Sequence, residues 1–70
     1  KDLISMDQLK DAYSAILELV RAFDFRSAGD IVSSIEESNS IPDNEMTKFN
    51  NVKELIRKIK HDEIIELLKV

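Results

Sequence analysis

The feature that most constrains the fold of this chain is an apolar stripe with the period of an α-helix. Six residues recur at spacings of three and four near its start: Met6, Leu9, Tyr13, Ile16, Val20 and Phe23. This spacing places them on one face of a helix of about five turns. Ser5 lies directly before the stripe, and Gln8 lies three residues after Ser5. A Ser followed at this spacing by Gln is the pattern of a capping box. The sequence therefore predicts a long first helix that begins near Ser5.

A second helix is predicted directly after the first. Asp24 interrupts the stripe, and Ser27 follows three positions later, which favours a tight turn with Asp24 as the N-cap of a new helix. The helix should end near residue 38, in a run of polar residues. Its buried face is expected to contain Ala28, Ile31, Val32 and Ile35.

The second half begins with the strongest linker signal, Ser40-Ile41-Pro42-Asp43. Proline favours the first turn of a helix and is excluded from its interior, so a third helix is predicted from Pro42. Its stripe is Met46, Phe49, Val52, Ile56 and Ile59. A second tight turn is predicted at Lys60-His61-Asp62, and a short last helix should bury Ile64, Ile65 and Leu68. No segment alternates with a period of two over a useful length, so no strand is expected.

The two halves of the chain match when one is shifted by 36 residues. Glu18-Leu19-Val20-Arg21 then coincides with Glu54-Leu55-Ile56-Arg57, and the apolar positions around these strings coincide as well. One helical hairpin cannot bury its own apolar face, whereas two hairpins together form a core. The predicted fold is all-α, a four-helix bundle made of two similar helical hairpins. It forms one domain over residues 1–70, with hairpin one at about 5–38, a linker at 38–42 and hairpin two at about 42–70.

The composition limits the classes of partner. The chain has no cysteine, which excludes disulfides and agrees with a reducing compartment. Its net charge is −4, and the acids are spread evenly along it, without the clustered Lys and Arg that nucleic-acid binding requires. The apolar runs are far shorter than a membrane span. We therefore expect neither nucleic acid as a partner nor insertion into a membrane. The chain starts at Lys1 rather than at Met, which we interpret as a piece of a longer protein.

His61 is the only histidine and the most reactive candidate in the sequence. It could be the phosphoaccepting residue of a histidine phosphotransfer domain, which needs an exposed imidazole in mid-helix. Asp62 and Glu63 follow it, however, and two acids would repel a phosphoryl donor. Because His61 coincides with Phe25 in the shifted alignment, we favour a half-buried turn residue in an aromatic position.

The remaining polar residues form no catalytic or cofactor-binding set. The carboxylate pairs Asp7/Asp11 and Asp62/Glu66 are better explained as solvated helix faces than as metal ligands. No Gly-x-Ser-x-Gly element or glycine-rich phosphate loop is present. We therefore expect no enzyme activity, no metal and no cofactor.

Four residues are candidate contacts for a protein partner. Leu17 and Leu67 lie off the main stripes, as exposed contacts or as the edge of a wide apolar face. Lys53 and Arg57 fall on one side of the third helix and could dock an acidic partner, although an ordinary solvated face is the simpler interpretation.

Three segments together resemble a known kind of domain. These are the Phe-Asp-Phe-x-x-Ala turn at 23–28, the Ile41-Pro42 entry to the third helix, and the closing Lys-x-x-Glu-Ile-Ile-Glu-Leu-Leu segment. They resemble the short helical tail at the C-terminus of many bacterial multidomain sensor histidine kinases and hybrid response regulators, from about Leu9 to Leu68. The second turn departs from that pattern, because Lys60-His61 stands where Asp and an aromatic residue are usual.

The resemblance implies a non-catalytic accessory or regulatory domain of a two-component signalling protein, located in the cytoplasm. Its partners would be other domains of the same chain, or a second copy in a homodimer. Two alternatives stay open at this point. One is phosphotransfer through His61, and the other is a tetratricopeptide-like peptide-binding module, for which two hairpins are few.

Overall fold

A computed structural model describes residues 1–69 and shows four helices packed around one core. The helices are α1 (Met6–Arg21), α2 (Phe25–Ser38), α3 (Asp43–Arg57) and α4 (His61–Leu68). They pack in a ring, in which α1 and α3 each contact both α2 and α4. The expectation of an all-α fold is confirmed.

The start of α1 follows the sequence prediction. The backbone N–H of Gln8 donates to Ser5 Oγ at 3.1 Å, and the N–H of Ser5 donates to Gln8 Oε1 at 3.2 Å. These two bonds form the predicted capping box and satisfy amides that the first helical turn leaves without a partner.

The connection between α1 and α2 also contains the predicted N-cap. Asp24 Oδ1 accepts a hydrogen bond from the N–H of Ser27 at 3.1 Å. The N–H of Asp24 itself donates to Leu19 O at 2.8 Å, so the same residue closes one helix and begins the next. Between the two helices, Phe23 adopts a left-handed conformation with φ 61°.

The connection between α3 and α4 has the same backbone geometry. Ile59 is left-handed with φ 57°, and the N–H of Lys60 donates to Leu55 O at 2.9 Å. The backbone of Lys60 (φ −95°, ψ 76°) matches that of Asp24 (φ −96°, ψ 72°), although its side chain caps nothing. The predicted second turn at Lys60-His61-Asp62 is therefore wrong by about two residues, because the left-handed Ile59 ends α3 and lets α4 begin at His61.

Four residues assigned to the buried stripes are exposed instead. Phe23 and Ile59 are 68% and 64% exposed, because a left-handed residue after the last helical turn points away from the stripe of its helix. Met6 and Met46, at 48% and 38%, lie in the first turns of α1 and α3. The buried residues are Ile4, Leu9, Tyr13, Ile16, Val20, Ala28, Val32, Ile41, Phe49, Val52, Ile56, Ile64 and Leu68.

The expectation of no strands is wrong in one short element. Two short strands, β1 (Asp2–Leu3) and β2 (Asn39–Ser40), form a parallel pair in which Asp2 lies opposite Asn39. The N–H of Ile4 then donates to Ser40 O at 3.0 Å, and Ile4 and Ile41 are both buried beside the pair. Two residues are too few for a period of two to be visible in a sequence. The pair ties the beginning of the chain to the linker at the end of the bundle opposite the two turns.

Among residues 1–69, Tyr13 is the one residue with a buried side-chain polar atom that lacks a hydrogen-bond partner. Its side chain is only 8% exposed, and its hydroxyl has no hydrogen bond. Burial, with a smaller contribution from the charge of Glu45, raises the pKa of Tyr13 to about 12. The ammonium of Lys48 lies 4.9 Å from the centre of the ring.

This environment predicts the effect of removing the hydroxyl. At neutral pH we expect Tyr13→Phe to raise the free energy of unfolding by about 1 kcal/mol, because an unpaired buried hydroxyl is removed. The unfolded chain releases the tyrosine proton near pH 10 and the folded chain near pH 12, so the wild type should lose stability as the pH rises between these values. Urea denaturation of both proteins across this range measures it. A loss of stability at neutral pH on substitution, or an equal alkaline loss in both proteins, would show that the Tyr13 hydroxyl is not buried without a partner.

Candidate functional site

The two helix connections lie side by side at one end of the bundle. The ring of Phe23 stacks on the ring of His61, with centres 4.2 Å apart and planes inclined by 6°. Phe25 approaches the edge of Phe23, with centres 6.4 Å apart. Residues 21–26 and 57–61 thus form one continuous surface, which we call the turn end.

The turn end exposes two large apolar side chains on strained backbone. A left-handed conformation costs a residue with a Cβ about 1–2 kcal/mol, and a helix usually ends there on Gly or Asn. Phe23 and the β-branched Ile59 occupy the two positions instead, each with about two thirds of its side chain exposed. Since burial of these side chains does not offset the strain, their presence points to a role in binding.

The turn end is also basic, although the chain as a whole is acidic. It contains five basic residues and one acid, Asp24, which gives a local charge of +4 in a chain of net charge −4. The five are Arg21, Arg26, Arg57, Lys58 and Lys60. The sequence showed evenly spread charge, and only the folding of the two turns against each other collects these residues on one surface.

Part of this positive charge is engaged within α3. Glu54 forms ion pairs with Arg57 and with Lys58, the latter at 3.8 Å. The hydrogen bond from Arg57 lowers the pKa of Glu54 below its usual value, and the same bond raises the pKa of Arg57. Arg21, Arg26 and Lys60 form no ion pair with any residue in 1–69, so their charge is available to a partner.

A groove of about 410 Å³ between α2 and α3 opens beside the turn end. The groove is lined by Lys53 and Arg57, the two basic residues that the sequence suggested as partner contacts, together with Phe25 and Ile59. Lys53 is held by Glu36, with Nζ 2.7 Å from Oε2. The structure thus places this candidate pair on one surface that continues into the turn end.

The two apolar candidates lie apart from each other. Leu17 and Leu67 are both half-buried and pack against the core. Leu67 also lines a second groove, of about 530 Å³ between α3 and α4, whereas Leu17 on α1 lines neither groove. We call the second groove the acidic groove, because Leu55 and Leu67 at its base are surrounded by Glu54, Asp62, Glu63 and Glu66.

His61 is the first residue of α4 and contributes to the turn end. Its side chain is 27% exposed, and its Nδ1 lies 2.8 Å from Asp62 Oδ1. Phe23 covers one face of the ring. The imidazole is therefore held between an aromatic ring and a carboxylate rather than projecting from the middle of a helix.

Within residues 1–69, no three His, Asp or Glu side chains lie close enough together to hold a metal ion. Over the same residues, every helix is too short or too polar to cross a bilayer.

The strain at the turn end gives a direct prediction for Ile59. We expect Ile59→Gly to be more stable than Ile59→Ala by about 1 kcal/mol, because both variants remove the same exposed side chain but only glycine adopts φ 57° without strain. Thermal or urea denaturation of the two variants measures this difference. An alanine variant as stable as the glycine variant would show that residue 59 is not left-handed.

Comparison with known proteins does not identify a family. The chain matches no protein-family model, no curated protein and no solved structure. The turn end and the motifs that form it are therefore the basis on which a function can be proposed.

Proposed function

We propose that this chain is a non-catalytic accessory domain that binds other protein domains within a two-component signalling protein. The main support for a binding role is the turn end, where strained Phe23 and Ile59 expose apolar side chains among basic residues. Apolar side chains ringed by charge are typical of protein-binding surfaces. A role in the cytoplasm, as a C-terminal tail of a sensor histidine kinase or hybrid response regulator, is supported by the resemblance of the motifs.

The motifs of that resemblance coincide with the proposed surface. The segment Phe23-Asp24-Phe25 forms the first connection, with Asp24 as cap and both aromatic rings at the turn end. The domain would thus present its most characteristic residues to a partner.

We further propose that the bundle consists of two repeats of one hairpin. The left-handed residues Phe23 and Ile59 are 36 positions apart and have φ values of 61° and 57°. The residues that precede them, Ala22 and Lys58, also agree in backbone angles (φ −87°, ψ 5° and φ −88°, ψ −2°). The agreement of both turns supports a common origin of the two halves.

The two alternative functions have less support. A phosphotransfer histidine has to meet the donor with a free imidazole, whereas His61 is stacked on Phe23 and contacts Asp62. A tetratricopeptide-like module needs an open concave face, whereas the contact of α1 with α4 closes the ring of helices.

The proposed function is tested with the receiver domain that it requires in the same signalling protein. We expect a receiver domain to be encoded upstream of Lys1. Adding that receiver to the isotopically labelled chain should shift the amide resonances of residues 21–26 and 57–61, because these residues form the proposed contact surface. The matched control is the same titration with a receiver from an unrelated signalling protein.

A chain with no signalling domain upstream, or a titration that leaves the turn end unchanged, would overturn the proposal. Incubation with the phosphorylated receiver separates it from phosphotransfer. Acid-labile phosphate on the wild type that is lost in His61→Gln would favour phosphotransfer instead.

A further inference from the structure

We propose that the turn end docks into the acidic groove of a second copy of this chain, and that two such contacts form a closed two-fold dimer. This inference rests on the proposed role of the turn end as a protein-binding surface, and it adds a second copy of the chain to the partners of that surface. It is carried by the complementarity between two surfaces of the same molecule.

The turn end supplies the apolar and basic half of the contact. Phe23 and Ile59 project from it with most of their side chains exposed. Arg21 and Arg26 lie within three residues of Phe23 in the chain, and Lys60 is next to Ile59. These three basic residues have no ion pair within residues 1–69. A partner that buries the two apolar side chains must therefore accept positive charge at its rim.

The acidic groove supplies the matching half. Leu55 and Leu67 form an apolar base between α3 and α4, with room for large side chains in a volume of about 530 Å³. Of the residues in 1–69 that line this groove, four are carboxylates and none is basic. Its charge and its apolar base are thus the complement of the turn end.

The carboxylates of the groove are only partly engaged within their own chain. Glu54 holds Arg57 and Lys58, Glu66 contacts Lys69 at 2.6 Å, and Asp62 contacts His61. Glu63 forms no ion pair among the described residues. Glu63 can therefore pair with a basic side chain of a second copy without breaking an existing ion pair.

The two surfaces are adjacent, and this favours a closed dimer over an open chain. Only His61 separates Ile59 and Lys60 of the turn end from Asp62 and Glu63 of the groove in the sequence. In a two-fold arrangement, residue i of one copy contacts residue j of the other and the reverse contact forms as well. An axis between the two surfaces pairs each turn end with the opposite groove, so that both are used.

The molecule is large enough for such a contact. A standard protein interface covers about 800 Å² on each partner, which is about one sixth of the 4661 Å² surface of this chain. The docked dimer would use only the end of the bundle near the turns and the adjoining part of α3 and α4.

Sedimentation equilibrium of the 70-residue chain at increasing concentration tests the proposal. We expect a reversible dimer whose dissociation constant rises with salt, because charge pairs at the rim are screened. A chain that stays monomeric at every concentration overturns the dimer. A mass that grows beyond two copies overturns the closed arrangement. Neither result decides the receiver titration, which tests the proposed function separately.

Charge reversal identifies the surfaces. We expect Lys60→Glu and Glu63→Lys each to weaken the dimer about tenfold or more, because like charges then face each other in both contacts. A mixture of the two variants should dimerise as well as the wild type, since each contact then has opposite charges again. Lys10→Glu is the matched control, because it changes the charge equally on an exposed part of α1 away from the turns.

The apolar part is tested with Ile59→Gly, which keeps the turn and removes the side chain. It should weaken the dimer while remaining folded by circular dichroism. Unchanged dimerisation in Ile59→Gly and Lys60→Glu, or no rescue in the mixture, would overturn the assignment of these two surfaces.

Discussion

The structure depends on one backbone constraint, the left-handed residue between the helices of each hairpin. At Phe23 and at Ile59 the chain reverses within three residues, and the next N–H bonds back to a carbonyl of the helix that has just ended. This close reversal brings the helices of each hairpin into contact along their apolar faces. It also brings both connections to the same end of the bundle, where the stacking of Phe23 on His61 joins them.

The same constraint gives the surface its chemistry. A helix that ends on glycine leaves no side chain at the reversal, whereas Phe and Ile there extend into solvent. Basic residues at the ends of α1 and α3 suit the negative ends of those helix dipoles, and the fold then collects them around the two apolar side chains. An acidic chain thus acquires one basic, apolar surface and, next to it, an acidic groove. This contrast within one molecule makes the two surfaces complementary to each other in a second copy.

Local signals made much of the fold predictable, and tertiary contacts explain most of the rest. The capping box at Ser5 and the N-cap at Asp24 depend on side chains within three residues, so the sequence contained them in full. The strand pair of Asp2 with Asn39 joins distant segments over two residues and leaves no periodic signal. The exposure of Phe23 could have been predicted from the sequence. An N-cap at Asp24 directly after a helix requires the chain to reverse at the residue before it, which is Phe23. The candidates Lys53 and Arg57 were found through helical spacing, but the assembly of the turn end depends on how the hairpins pack.

The two connections meet at one end of the bundle, where Phe23 is stacked on His61. Nuclear Overhauser contacts between the ring protons of these two residues, in the isolated chain in solution, test this arrangement most directly. We expect strong contacts, because the ring centres are 4.2 Å apart, together with upfield shifts of the imidazole protons above the face of the phenyl ring. The absence of such contacts in a folded chain would mean that the turns are apart, and that the basic, apolar surface does not exist as described.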